Sequence, residues 1–183
     1  MSTNYRSGDE AYPHFLTLTL VEWVDLFSRK RYKDILLESL RFYTQHQRFR
    51  LHAWVIMTNH VHLIASAVPG QKLVEAIRTL KRFTAKAMYE SLQEDQQESR
   101  KNWMNWIFRA QGKRSSSNEH YKVWIHENHP IELSTPVLLK QRLDYLHQNP
   151  VRAGICYRAE DYIYSSAGAY AGEQTQLPLV LLE

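Results

Sequence analysis

Apolar and polar positions alternate at the start of the chain. From His14 to Val21, Leu16, Leu18 and Leu20 fall on one face and Thr17 and Thr19 on the other, which predicts a half-buried strand. The period then lengthens. Tyr32, Ile35, Leu36, Leu40 and Tyr43 recur at helical spacing and predict a helix from Ser28, its candidate cap, to about Gln47. Phe49 to Met57, rich in Val, Ile and Trp, predicts a second strand. Thr58-Asn59 makes a tight connection to a third, His60 to Val68, which Pro69-Gly70 ends. In this third strand Val61, Leu63, Ala65 and Ala67 form an apolar face suited to covering by helices. His60, His62 and Ser66 lie opposite, with Ile64.

Lys72 to Gln93 predicts a second helix, with Leu73, Ile77, Leu80, Thr84 and Ala87 along one side. Arg78, Lys81, Arg82 and Lys86 recur on another side, either as a solvated face or as a track for phosphates. The chain turns polar from Glu94 to Asn102, and Trp103, Trp106, Ile107 and Phe108 then predict a short apolar helical turn. Gly112 to Asn118, serine-rich and carrying Lys113 and Arg114, has the composition of a linker or a mobile loop over nucleic acid. Tyr121 to Leu133 predicts a fourth strand and its exit. Ser134-Thr135-Pro136 is a helix start, and Pro150 is expected to stop that helix at Asn149. The apolar Leu177 to Leu182 segment is expected to pack across the body. The order strand, helix, strand, strand, helix, strand, helix predicts an α+β, ferredoxin-like fold. It has a four-stranded antiparallel sheet, two helices on one face, and a further C-terminal helix. The second face of the sheet stays free for a site.

Composition narrows the setting. The chain has 183 residues, 44% of them hydrophobic, enough for a core in one domain over residues 13–183 after a polar, frayed stretch over residues 1–12. No apolar run approaches a membrane span, and Cys156, the single cysteine, agrees with a reducing cytoplasm. A formal charge of +4 is compatible with a nucleic-acid partner without requiring one.

Two short stretches carry chemistry. Residues i and i+2 of a strand share a face, so His60 and His62 present their imidazoles side by side. Residues i and i+4 of a helix are neighbours, so Tyr145 and Asn149 share one as well. Each pair has a plain alternative. With nine histidines in the chain, one such spacing arises easily by chance, and a helical tyrosine is usually core filler. His126 and His129, just before Pro130, form a second pair better explained by structure. Trp103, Trp106 and Tyr121 can stack on unpaired bases, although core burial explains the tryptophans better.

The two stretches together, in this order, resemble the REP-associated tyrosine transposases, single-tyrosine HUH nucleases of the insertion-sequence transposase class. The matching residues are Ala53 to Ile64 (AWVIMTNHVHLI) and Leu143 to Gly154 (LDYLHQNPVRAG), followed by Asp161 to Ala167 (DYIYSSA). The resemblance implies a metal-dependent single-stranded DNA endonuclease and strand transferase working beside hairpins of REP-like palindromes through a 5′-phosphotyrosine. It assigns Tyr145 as nucleophile, and His60, His62 and Asn149 as ligands of Mg²⁺ or Mn²⁺. Arg78, Lys81, Arg82, Lys86, Lys113, Arg114 and Arg142 are the candidate DNA contacts. The alternative is a catalytically silent protein on the same fold that binds a hairpin or a single strand of DNA or RNA. Monomer and homodimer both remain open.

Overall fold

The computed structural model describes residues 12–115 and 120–182. The expected frayed stretch over residues 1–12 therefore lies outside it except for Tyr12, as does the Ser116 to Asn118 part of the linker.

Four strands form one sheet in the order β2-β3-β1-β4, all antiparallel: β1 (His14–Thr19), β2 (Arg50–Ile56), β3 (His60–Ser66) and β4 (Ile131–Glu132). Helices α1 (Lys30–Gln45) and α2 (Leu73–Glu94) complete the β-α-β-β-α-β order and pack side by side. The core joins Leu16, Leu18, Val61 and Leu63 of the sheet to Leu36, Leu40, Ile77 and Leu80 of these helices. The chain thus has the expected α+β architecture.

Five expectations change, four of them within single elements. Ser28 does not cap α1, because a short 3-10 turn over Leu26–Ser28 precedes it and Arg29 occupies the cap position without a side-chain bond. The Trp103 region is a full helix, α3 (Lys101–Arg114), which takes in Gly112, Lys113 and Arg114 from the expected linker. The fourth strand is only two residues long. Upstream of it, Trp124 makes one bridge to Leu20, and Asn128 receives the Thr17 amide on its carbonyl at 3.0 Å. Finally, α4 (Pro136–Arg152), capped by Thr135 as expected, runs through Pro150. Proline lacks the amide that would bond back to the preceding turn, yet a buried Pro150 next to buried Leu146 lets packing hold the helix together.

The second face of the sheet is not free. Helix α4 crosses it against β2 and β3. The segment after it follows the outer side of β2, with Tyr164 O accepting from Ile56 N and Ser166 N donating to Trp54 O, both at 2.9 Å. Val180 N donates to Leu51 O at 2.9 Å, and Leu177 is buried, so the C-terminal apolar segment packs on the body as expected.

Candidate active site

Sheet register builds the site. Thr17 pairs with His62 and Thr19 with His60, so all four side chains fall on the face away from α1 and α2, together with Phe15. Each imidazole has one nitrogen engaged. His60 Nδ1 donates to Asn59 Oδ1 at 2.7 Å, and His62 Nδ1 lies 3.0 Å from Thr17 Oγ1. The Nε2 atoms are the nitrogens left over, and the two rings sit 4.8 Å apart. His62 is only 5% exposed, and its buried Nε2 has no hydrogen-bond partner among the described residues. Burial, reinforced by the neighbouring His60, pushes its pKa down to about 3, and burial also lowers that of His60. Both are therefore neutral imidazoles, the protonation state a metal requires.

Helix α4 brings Tyr145 to this pair, with its ring 5.5 Å from that of His62 and 6.0 Å from that of Phe15. Phe15 is a common floor: His62 stacks on it at 5.0 Å, and the Arg142 guanidinium lies 5.5 Å above it. Arg142 Nε is buried without a partner among the described residues. A second guanidinium, Arg152, lies 5.5 Å over the Tyr145 ring, and only the continuation of α4 past Pro150 makes this possible. Asn149 follows Tyr145 by one turn on the same helix and is half-buried.

The site therefore holds two unsatisfied groups of opposite appetite. An imidazole lone pair seeks a cation or a donor, and a guanidinium N–H seeks an anion or another acceptor. No cluster of three or more His, Cys, Asp or Glu side chains gathers among the described residues, so His60 and His62 alone do not enclose a cation. Their chemistry still fits one: two neutral nitrogens, each ring oriented by a second hydrogen bond.

Residues 12–128, well over half of the chain, match the family model described as IS200-like transposase. The chain belongs to the IS200-like transposase family. That makes it a member of a family of DNA-processing enzymes, and the matched span includes His60 and His62 but ends before Tyr145. Among solved structures, a REP-associated tyrosine transposase bound to a REP hairpin is 16% identical with a TM-score of 0.66. The match covers all of this chain and 94% of the other. A structure provisionally described as a transposase of Deinococcus radiodurans is 16% identical with a TM-score of 0.43, over 77% of this chain and 96% of the other. Comparison with curated proteins gave no match. At such identities the structural likeness speaks for the fold, and the family model supplies the transposase assignment.

The transposase fold disperses the basic residues. Arg78, Arg82 and Lys86 are exposed along α2, with Arg78 forked onto Glu75 at 3.0 Å and Lys86 3.8 Å from Glu90. Lys81 is not part of that track. It is 9% exposed, and its ammonium donates to Ile125 O, His126 O and Asn128 Oδ1 at 2.5, 2.9 and 2.6 Å. Burial lowers its pKa to about 8. Lys113 and Arg114 are exposed on the last turn of α3. The tryptophans of α3 face solvent rather than the core, Trp103 at 48% and Trp106 at 70%. Tyr121 is stacked on Tyr89 at 3.8 Å, and His126 and His129 lie exposed in the loop before β4. No helix among the described residues is long and apolar enough to cross a membrane.

Several contacts of the site escaped sequence reading. Asn59 and Thr17 orient the imidazoles, Phe15 floors them, and Arg152 covers the tyrosine. For Thr17 a signal existed, since alternation already placed it opposite the leucines of β1. Arg152 follows Tyr145 by seven residues, two helical turns, but Pro150 hid that relation.

Proposed function

We propose that this transposase cuts and rejoins single-stranded DNA beside hairpins, with Tyr145 as the nucleophile. The observation that carries the reading is the placement of the Tyr145 ring against His62, near a buried imidazole nitrogen and a buried guanidinium N–H that both lack partners among the described residues. A scissile phosphate between them satisfies Arg142, whose charge favours its anionic oxygens. His60 and His62, with Asn149 as a third, amide-oxygen ligand, would hold Mg²⁺ or Mn²⁺, and such an ion would supply Lewis-acid polarisation of the phosphate.

The tyrosine Oη attacks phosphorus and gives its proton to water, the bond to the 3′ oxygen breaks, and the departing 3′ oxygen takes a proton from water. The products are a 5′-phosphotyrosine ester and a free 3′-OH. The phosphodiester is exchanged for another ester rather than hydrolysed, so a later 3′-OH can attack the ester, release Tyr145 and join strands. A phenol is a poor nucleophile at neutral pH until its anion is favoured. Arg152 lies over the Tyr145 ring and Arg142 over that of Phe15, two guanidinium groups suited to the anionic oxygens of a bound phosphate. Phe15 and the α4 packing exclude water from the inner side of the ring. A structural neighbour that holds a REP hairpin supports a hairpin-flanked substrate.

The test is the covalent adduct. Purified protein with Mn²⁺ and a labelled DNA hairpin carrying an unpaired flank is expected to give a denaturation-resistant protein–DNA species. Tyr145→Phe is expected to abolish it while keeping hairpin binding and metal-dependent stabilisation. His60→Ala with His62→Ala is expected to lose both the adduct and the metal-dependent rise in Tm. Cleavage by Tyr145→Phe without an adduct would make water the nucleophile. Binding by the unaltered chain with no cleavage at all would leave a hairpin-binding protein.

A further inference from the structure

A short turn between β1 and α1 stands next to His60 and has no part in the chemistry above. Glu22 and Trp23 both adopt left-handed backbone, with φ of 51° and 55°. Two consecutive non-glycine residues in that region are costly, and the cost persists only where the surroundings hold it. They do so here from three sides. Leu20 N donates to Asn59 O at 3.0 Å and Phe27 N to Thr58 O at 2.9 Å, stitching the turn to the residues just before β3. Asn59 Nδ2 lies 3.5 Å from Trp23 O, and Gln111 of α3 hydrogen-bonds the Glu22 carboxylate.

This enforced geometry does not bury the tryptophan. Trp23 is 63% exposed, and its ring stands edge-on to His60 at 6.2 Å between centroids. A core function is thus excluded, and so is a purely local one, since glycine would adopt the same backbone without strain. What the strain secures is a rigid, solvent-facing indole at the rim of the histidine pair. Asn59 joins the two, bonding His60 Nδ1 with its carbonyl and facing Trp23 O with its amide.

We infer that Trp23 is a stacking platform for an unpaired base next to the scissile phosphate. The ligand class is single-stranded DNA, and the role is to fix which flanking nucleotide reaches Tyr145. An indole face accepts any base, so the contact sets register along the strand more than sequence. The inference rests on the strand-transferase reading, and the test separates the two.

Binding is measured in the Tyr145→Phe background, so that no cleavage intervenes. The probes are DNA hairpins with and without a mixed-sequence unpaired flank, carrying 2-aminopurine at successive flank positions. Fluorescence quenching is expected at one or two adjacent positions. Trp23→Ala is expected to abolish that quenching and to lower affinity for the flanked hairpin about tenfold, leaving the flankless hairpin unaffected. Trp23→Phe should retain most of the gain. Trp23→Gly should lose the gain while its Tm is unchanged or higher, because glycine relieves the left-handed strain. That combination cannot come from misfolding. Phe42→Ala, an exposed aromatic at the far end of α1, is the control and should change neither readout.

An undiminished flank gain and quench in Trp23→Ala would overturn the stacking role. It would leave the strand-transferase reading intact if the unaltered chain forms its Tyr145-dependent adduct. Failure of the unaltered chain to bind hairpins or to form that adduct would overturn both.

Discussion

Burial holds His52, His60, His62 and His147 neutral, and their acid response follows. His62 has its pKa lowered to about 3 and His147 to about 4, and that of His52 is also lowered, each chiefly by loss of water around the ring. His147 Nε2 lies 2.9 Å from Ser166 Oγ; His52 bonds Val180 O at 2.7 Å and Ser66 Oγ at 2.8 Å. Below the ordinary value near 6.5 the unfolded chain takes up protons that these folded sites refuse, so stability falls as pH drops from about 6.5 toward 4. At pH 5 each fully protected imidazole costs up to about 2 kcal/mol. Urea midpoints between pH 7 and pH 4.5 should fall steadily, and Ser166→Ala should not restore them. A flat profile would show that these rings reach water in the folded state. At this scale the sequence announced the two site histidines but not the rest. A strand places residues on faces, while hydrogen-bond partners such as Asn59 depend on how a turn closes.

Helix α2 shows how far periodicity carries. Its apolar stripe was legible, and so was its basic side, yet Lys81 was assigned to the wrong one. Counting back from Thr84 and Met88, the stripe steps through Ile77 and Lys81, so the spacing itself puts this lysine inward. Its long stem crosses the core boundary and its ammonium gathers three acceptors of the chain before β4, at Ile125, His126 and Asn128. Lys81→Met is expected to lower stability by about 2–4 kcal/mol, since three acceptors lose their donor, and to leave the salt dependence of DNA binding unchanged. Arg82→Ala should do the reverse, with little effect on Tm and a salt slope smaller by about 1. Denaturation curves and binding titrations across salt concentrations separate the two. Helix α4 gave the opposite error. The rule that proline ends helices is local, and burial of Pro150 against the sheet side of α4 outweighed it.

For the whole molecule, the split β-α-β order was readable because each element keeps its period over a long enough stretch. The covering of the second face was not, because nothing in the spacing of Tyr145 says where α4 docks. That docking turns a histidine pair on an open sheet into an enclosed site. The segment behind α4 has an effect of its own. Strand β2 is the last of the sheet on its side, and an uncovered last strand offers a row of free amides and carbonyls to any other chain. Here Tyr164, Ser166 and Val180 occupy that row at Ile56, Trp54 and Leu51. Two copies therefore cannot join by extending their sheets at β2, and clumping through this strand is blocked as well. Ending the chain at Gly172 removes Val180 and uncovers Leu51 with the neighbouring bulge at His52. Light scattering should then show larger particles forming from the shortened chain than from the intact one at equal concentration. The segment after α4 thus acts as a guard against self-association through β2.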